Sequence, residues 1–357
     1  MNESTRSQSA ANDAALTDAS MNNAAVHARP MNSHQTNTRP LHTILGANGA
    51  VGRALSRELA AMSVRVRQVA RTPHAESPTD ELVAADLLDA AAADRAVAGS
   101  DVVYLLAGLP YNTAIWTARW PRLMQHVVDA CSRHGARLVF FDNVYAYGAV
   151  DGRMTETTPF NPCSRKGELR ARVATTLLEA IRADQVQAMI VRSADFYYPD
   201  AAGATTGLLN GVVFDRLTGG KNAQWLGSAD VVHSFSYTPD IARSLAALST
   251  RLEAYGQTWH ALTANAEYTG REFLQLASQL LGRPAQMQNA GPLLVRLLGL
   301  VQPAMQEQVE MLYQFDRPYR FSSAKLEQAS GLSPTTYAKG FAEVLGVAAR
   351  EPQTSGG

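Results

Sequence analysis

HTILGANGAVGRAL, residues 42 to 55, joins a short apolar run to a segment with helical spacing through Gly46, Gly49 and Gly52. Glycine at the first position permits a tight turn, at the second lets a pyrophosphate approach the backbone, and at the third lets helix and strand pack closely. The first amides of the helix have no partner inside it, so they face the phosphates. Gly46, Asn48, Gly49, Ala50, Val51 and Gly52 are therefore the expected cradle of a dinucleotide. A glycine-rich turn without a ligand is the alternative, and the position of the triplet at a strand-to-helix crossing argues against it.

Outward from this turn, the chain alternates apolar runs with helical patterns. Ala50 to Met62 has helical spacing, and VRVRQVA, ELVAADL and DVVYLLAG follow as short runs. Tyr111 to His134 reads as a long helix with a bend expected at Pro121, ahead of RLVFF; Lys166 to Arg182 reads as a helix ahead of QAMIVR. Strand and helix in this order predict an α/β fold of Rossmann type, a doubly wound parallel sheet with helices on both faces. Ligands of such sheets bind beyond the carboxyl ends of the strands. Past about Pro199 the alternation weakens. Residues 41–199 are thus expected to form an NAD(P)-binding domain, and residues 200–348 a smaller, mostly helical substrate lobe interleaved with it. Residues 1–40, rich in Ser, Thr, Asn and Ala, read as a disordered tail, and 349–357 as a frayed end.

The 357 residues are 46% hydrophobic, enough for a large core, and 32 Lys and Arg balance 32 Asp and Glu. A chain without net charge offers no attraction to nucleic acid or to an anionic membrane surface. It has no run of about 18 apolar residues that would span a bilayer. Cys131 and Cys163 are too few for a disulfide framework or a structural zinc site, so no metal is expected. No apolar stretch follows a basic start as in a secretory signal, and the cytoplasm is the expected location.

The second strand ends in Ala70-Arg71-Thr72. The acid that would bind a ribose 2′-hydroxyl is missing there, and Arg71 stands where it would meet a 2′-phosphate, which favours NADP over NAD. The alternative is a solvated strand-end arginine. Asp86, beyond the third strand, either reaches the adenine amino group or caps a helix.

GANGAVG (46–52), ADLLD (85–89), DVVYLLAG (101–108), YAYG (145–148), RSADFYYP (192–199) and SYTPDIA (236–242) carry a resemblance, over roughly Leu41 to Gly346, to the extended and atypical short-chain dehydrogenase/reductases, the NAD-dependent epimerase/dehydratase family. That resemblance implies redox catalysis on a small-molecule substrate. It further implies Leu87, Leu106, Ala107, Gly108 and Lys166 as cofactor contacts, and a homodimer through the helices 111–134 and 166–182.

In that family a Ser or Thr after the fifth strand holds a substrate oxygen, a tyrosine moves the proton, and a lysine four residues later lowers the tyrosine's pKa and holds the nicotinamide ribose. Here Asn143 takes the hydroxyl position, no tyrosine lies between Gly148 and Arg192, and Lys166 and Arg170 stand nearest to the missing pair. At this spacing both project from one helix face. Arg170 can supply the fixed charge and the ribose hydrogen bonds. Lys166, one of four lysines in the chain, is expected to have a depressed pKa beside a second cation and to donate a proton to a developing alkoxide or enolate; a solvated lysine is the alternative. The Asn143 amide can polarise a substrate carbonyl. Tyr145 is either the replacement acid, its pKa lowered by Lys166 or Arg170, or a pocket-lining ring. Tyr147 and Asp142 are given structural roles.

Around the substrate end the resemblance places Tyr111, Trp116, Asp195 and Tyr197, with a helix residue facing the core as the favoured reading of Trp116, a partner of Arg192 as the alternative for Asp195, and a surface strand position for His233. The leading function is an NADP-dependent oxidoreductase acting on a carbonyl, alcohol or activated alkene. Its alternatives are an NAD(P)-dependent epimerase or dehydratase acting on a sugar nucleotide or similar, and a catalytically silent NADP-binding sensor.

Overall fold

Burial on both faces selects the strands. In the computed structural model, which describes residues 39–199, 207 and 209–349, Leu41–Leu45 forms β1 with every side chain buried. β2 (Arg65–Ala70), β3 (Glu81–Ala84), β4 (Val102–Leu105) and β5 (Arg137–Asp142) follow, and strands Ala188–Arg192 and Thr258–His260 complete a 7-stranded sheet. Its order is Thr258–His260, Ala188–Arg192, β5, β4, β1, β2, β3, and every pairing is parallel. Strand order reverses between β1 and β4, where such sheets open a crevice at their carboxyl edge.

Helices α1 (Ala50–Ala60), α2 (Ala90–Val97), α3 (Thr113–His134) and α4 (Arg165–Arg182) are crossovers. Three of them start on side-chain caps that satisfy amides the helix leaves free: Asp89 accepts from Ala91 and Ala92, Asn112 from Ile115, and Ser164 from Gly167. α3 continues through Pro121 and ends at Gly135, whose φ of 64° suits glycine. On one face of the sheet, α2, α3 and α4 bury Val97, Met124, Val127 and Leu177. On the other, α1 and the helix Thr238–Ser249 bury Leu55, Leu59, Ile241 and Leu245. Each such side chain contributes about 1.5–3 kcal/mol through loss of apolar surface to water.

The fold is the doubly wound α/β class that the alternation predicts. The later segments depart from a simple division: TWHAL supplies the edge strand Thr258–His260, and the helix Thr238–Ser249 covers α1. A third apolar cluster, with Tyr197, Phe214, Phe273, Tyr337 and Phe341, lies among the remaining elements. Nearly all of the two expected tails lies outside the described residues, and among the described residues no helix is long and apolar enough to cross a membrane.

Candidate active site

The glycine turn leads from β1 into α1 and lies against the end of β4. Gly46 has φ 97°, and a Cβ there would stand 2.6 Å from the Ala107 backbone, so Leu106 and Ala107 press on the turn. Gly52 is closed in as tightly, by the Ala47 carbonyl at 2.6 Å. Gly49 differs. It is exposed, a Cβ there would meet only the Gly46 carbonyl at 3.4 Å, and it caps α1 without any side-chain hydrogen bond. Ala50 and the buried Val51 open the helix, so its first amides face open space beyond the carboxyl edge of the sheet.

Neighbouring loops complete this end. Asn48 donates to the Thr72 carbonyl at 2.8 Å and accepts from the His74 amide at 3.3 Å, which ties the turn to the loop after β2. Arg71 is exposed and has no partner among the described residues. Asp86 accepts from the Leu88 amide at 3.0 Å, and the cap of α2 is Asp89 instead, which removes the capping role considered for Asp86. Leu87 is buried in the core, and its carbonyl is hydrogen-bonded to the His126 ring at 3.0 Å. Gly108 is exposed, with nothing near the position of a Cβ.

The DNVYAYG turn follows β5. Asp142 is 2% exposed and accepts from Arg170 Nε at 2.8 Å, Arg192 Nε at 3.3 Å and the Asn143 amide at 2.8 Å. Arg170 therefore engages the acid beneath the turn, its guanidinium 4.3 Å from the Trp120 ring centroid; the ribose role expected of it is not what its contacts serve. Asn143 accepts from the Tyr145 amide at 3.0 Å through Oδ1, which leaves its Nδ2 donor uncommitted. Tyr145 stacks on Trp116, ring centroids 6.3 Å apart, and Tyr111 meets Trp116 edge-on at 5.4 Å. Tyr147 bridges His260 at 2.9 Å and Arg192 at 3.1 Å, the structural role expected of it.

The electrostatics reverse one expectation. Burial above all, then the neighbouring Tyr111 and the Asp195 charge, hold the Tyr145 hydroxyl well above its ordinary pKa; it is not lowered by Lys166 or Arg170. Lys166 is fully buried, and two carboxylates surround it rather than a second cation. Its Nζ donates to Glu307 Oε2 at 2.5 Å, to the Glu307 carbonyl at 3.0 Å and to Glu310 Oε1 at 2.7 Å, with the Tyr111 ring centroid 4.7 Å away.

Asp195 faces the same cluster, and its charge adds to the raised pKa values of Tyr111, Tyr145, Tyr313 and Tyr319 after burial. Its partner is His233 Nε2 at 3.0 Å, while Arg192 turns to Asp142. His233 is 1% exposed and lies between the Phe315 and Tyr319 rings, so the surface position expected for it is corrected. Tyr197 leaves the cluster: it is fully buried against Phe214, Tyr237 and Phe341 in the third apolar cluster. Sequence reasoning missed Glu307, Glu310, Tyr313 and Tyr319. They lie far along the chain in segments without a motif.

A parallel sheet in Rossmann order, a glycine turn opening an uncapped helix, and a proton-carrying cluster beyond β4 and β5 define a dinucleotide-binding α/β fold. The chain belongs to the NAD dependent epimerase/dehydratase family, whose model matches residues 42–260. Its structure is similar to dTDP-glucose 4,6-dehydratase DesIV from Streptomyces venezuelae, solved with NAD and TYD bound, at 18% identity over 85% of this chain and 95% of that one, with a TM-score of 0.69. UDP-glucose 4-epimerase from Thermus thermophilus, in complex with NAD, is similar at 18% identity over 86% and 98%, with a TM-score of 0.68. UDP-glucuronic acid 4-epimerase from Bacillus cereus, in complex with UDP-glucuronic acid and NAD, gives 16%, 86%, 98% and 0.70. At these identities the likeness is one of fold. No curated protein matches the chain.

Proposed function

We propose that this protein transfers hydride between a nicotinamide cofactor, NADPH ahead of NADH, and a carbonyl, alcohol or activated alkene of a small organic substrate. One observation carries the reading: the open N-terminus of α1 at Gly49 shares the carboxyl edge of the sheet with the uncommitted amide of Asn143 and the phenol of Tyr145.

The cofactor supplies the hydride when bound. Gly46 to Gly52 and the first amides of α1 hold its pyrophosphate, with Asp86 and Arg71 at the adenosine end; an exposed, partnerless arginine where β2 itself ends without an acid favours a 2′-phosphate. Asn143 Nδ2 and the Tyr145 hydroxyl donate to the substrate oxygen, and burial keeps that phenol protonated at ordinary pH. Tyr111 walls the cleft with the core residue Trp116 packed behind it, Asp195 closes its far side, and the elements after residue 199, apart from the helix Thr238–Ser249 and the strand Thr258–His260 that belong to the sheet domain, form the substrate lobe.

Family membership favours a second reading, an epimerase or dehydratase that recycles its cofactor on a bound substrate. Incubation with NADPH and a panel of aldehydes, ketones and enones separates the two. Stoichiometric consumption of NADPH supports the first; tightly retained cofactor and sugar-nucleotide turnover without net consumption support the second. Unchanged turnover in both Tyr145→Phe and Asn143→Ala would remove the catalytic assignment.

A further inference from the structure

The carboxylate of Glu307 is seated among donors that belong to other elements. Lys166 Nζ of α4 lies 2.5 Å from Oε2, the Thr113 amide 3.0 Å and the Thr113 hydroxyl 2.6 Å from the same oxygen, and Asn112 Nδ2 3.2 Å from Oε1. Glu310 takes the remaining bonds, from Lys166 Nζ at 2.7 Å, the Thr113 hydroxyl at 3.2 Å and the Arg165 amide at 2.8 Å. Every donor stands on the start of α3 or α4, at the carboxyl edge of the sheet; both acceptors come from the segment of helix Pro303–Val309 and the residue that ends it. Burial alone would raise the Glu307 carboxyl, yet the bonds from Lys166 and Thr113 hold it below its ordinary range.

We infer that Lys166, Thr113 and Asn112 form a carboxylate-binding site of the substrate cleft, which Glu307 and Glu310 fill from within until a ligand carboxylate displaces them. The inference rests on reading this cleft as the substrate side of the proposed oxidoreductase. Three observations support it. Lys166 is fully buried and pairs with neither acid of its own helix, Glu168 or Glu179, but only with the two glutamates of a distant segment, and a buried ammonium is costly to keep unless something at the site requires it. The half-buried ring of Tyr111 adjoins the ammonium, so an apolar body attached to a carboxylate has a surface to meet. The segment that delivers the two glutamates is held by little apolar burial: none of its described residues 303–310 is buried, Leu293, Leu297, Leu300 and Val301 ahead of it are 71%, 55%, 82% and 76% exposed, and its anchor is the buried pair Met311 and Leu312 that follows. Its carboxylates can leave without dismantling a core, and the donors they vacate are those that recognise an anion with two oxygens. The ligand class is a monocarboxylate with an aromatic or alicyclic part.

Benzoate is the probe, with the full chain carrying Glu307→Ala and Glu310→Ala, followed by tryptophan fluorescence and by the thermal transition. We expect benzoate to bind the double variant at least tenfold tighter than the wild type and to raise its Tm. Lys166→Met in that background abolishes the gain, and benzylamine gives none. If the alanine pair does not fold, Glu307→Gln with Glu310→Gln keeps the shape and gives the same ranking. A folded variant that binds benzoate no better than the wild type, or a gain that survives Lys166→Met, overturns the inference. NADPH titration of the same samples reports on the cofactor reading independently.

Discussion

The ring of Tyr145 lies nearly parallel to that of Trp116, at an interplanar angle of 17°. The stack helps to bury the phenol, and burial is the largest cause of its raised pKa. Tyr145→Phe keeps the stack and removes only the hydroxyl. Loss of a positioned proton donor lowers turnover by about 10²–10⁴-fold. We expect that fall in kcat with an unchanged thermal transition, measured on whichever substrate the NADPH screen returns.

Gly46 and Gly49 separate folding from binding. Gly46→Ala puts a side chain at φ 97° and 2.6 Å from the Ala107 backbone, which costs about 1–3 kcal/mol as strain at one residue. Gly49→Ala has an ordinary φ of −71° and only a 3.4 Å contact, and it leaves chemical denaturation within about 0.5 kcal/mol of the wild type.

Arg71→Ala tests the cofactor preference. An exposed side chain without protein partners contributes nothing to folding by pairing, so stability stays unchanged. A charge-assisted bond to a 2′-phosphate is worth about 1.5–3 kcal/mol, so NADPH affinity falls by about 10–100-fold. NADH affinity, compared by calorimetry, stays as it was.

Asp142→Asn addresses the floor of the site. The carboxylate accepts from Arg170 and Arg192, both nearly fully buried, and removing its charge leaves two guanidiniums in the core. Breaking a buried ion pair in this way costs about 3–5 kcal/mol. Urea denaturation with an unchanged m-value would show it.

Acid weakens the fold through two histidines. Burial lowers His260 to about 3 and His42 to about 4 from 6.5. Above pH 6.5 both states are neutral and this part of the stability is complete. As the pH falls below that value the unfolded chain takes up protons that the folded chain refuses, and stability is lost down to the folded pKa values. Each histidine contributes about 1.4 kcal/mol per pH unit. His260→Asn should flatten the decline between about pH 6 and 4 by that amount, relative to the wild type.

Parallel strands buried on both faces write continuous apolar runs, which is why β1, β4 and β5 were legible along with the glycine turn. Thr258–His260 was read into the second lobe because a three-residue strand has no period of its own and its partner, Ala188–Arg192, lies 66 residues or more away in the chain. Asn143 and Tyr145 could be singled out as candidates because both stand on one local turn. The pairing of Lys166 with Glu307 is a contact across 141 residues, and no spacing rule announces it. His233 looked like a surface residue because its neighbours Phe315 and Tyr319 come from the far end of the chain.

Titration of the full chain with NADPH and with NADH, alongside Gly49→Val, tests most directly whether the open start of α1 holds a nicotinamide dinucleotide. The arrangement predicts saturable binding with NADPH preferred, and loss of that binding in Gly49→Val while its thermal transition is retained. Failure of the wild type to bind either nucleotide, or undiminished binding by the folded variant, would contradict it.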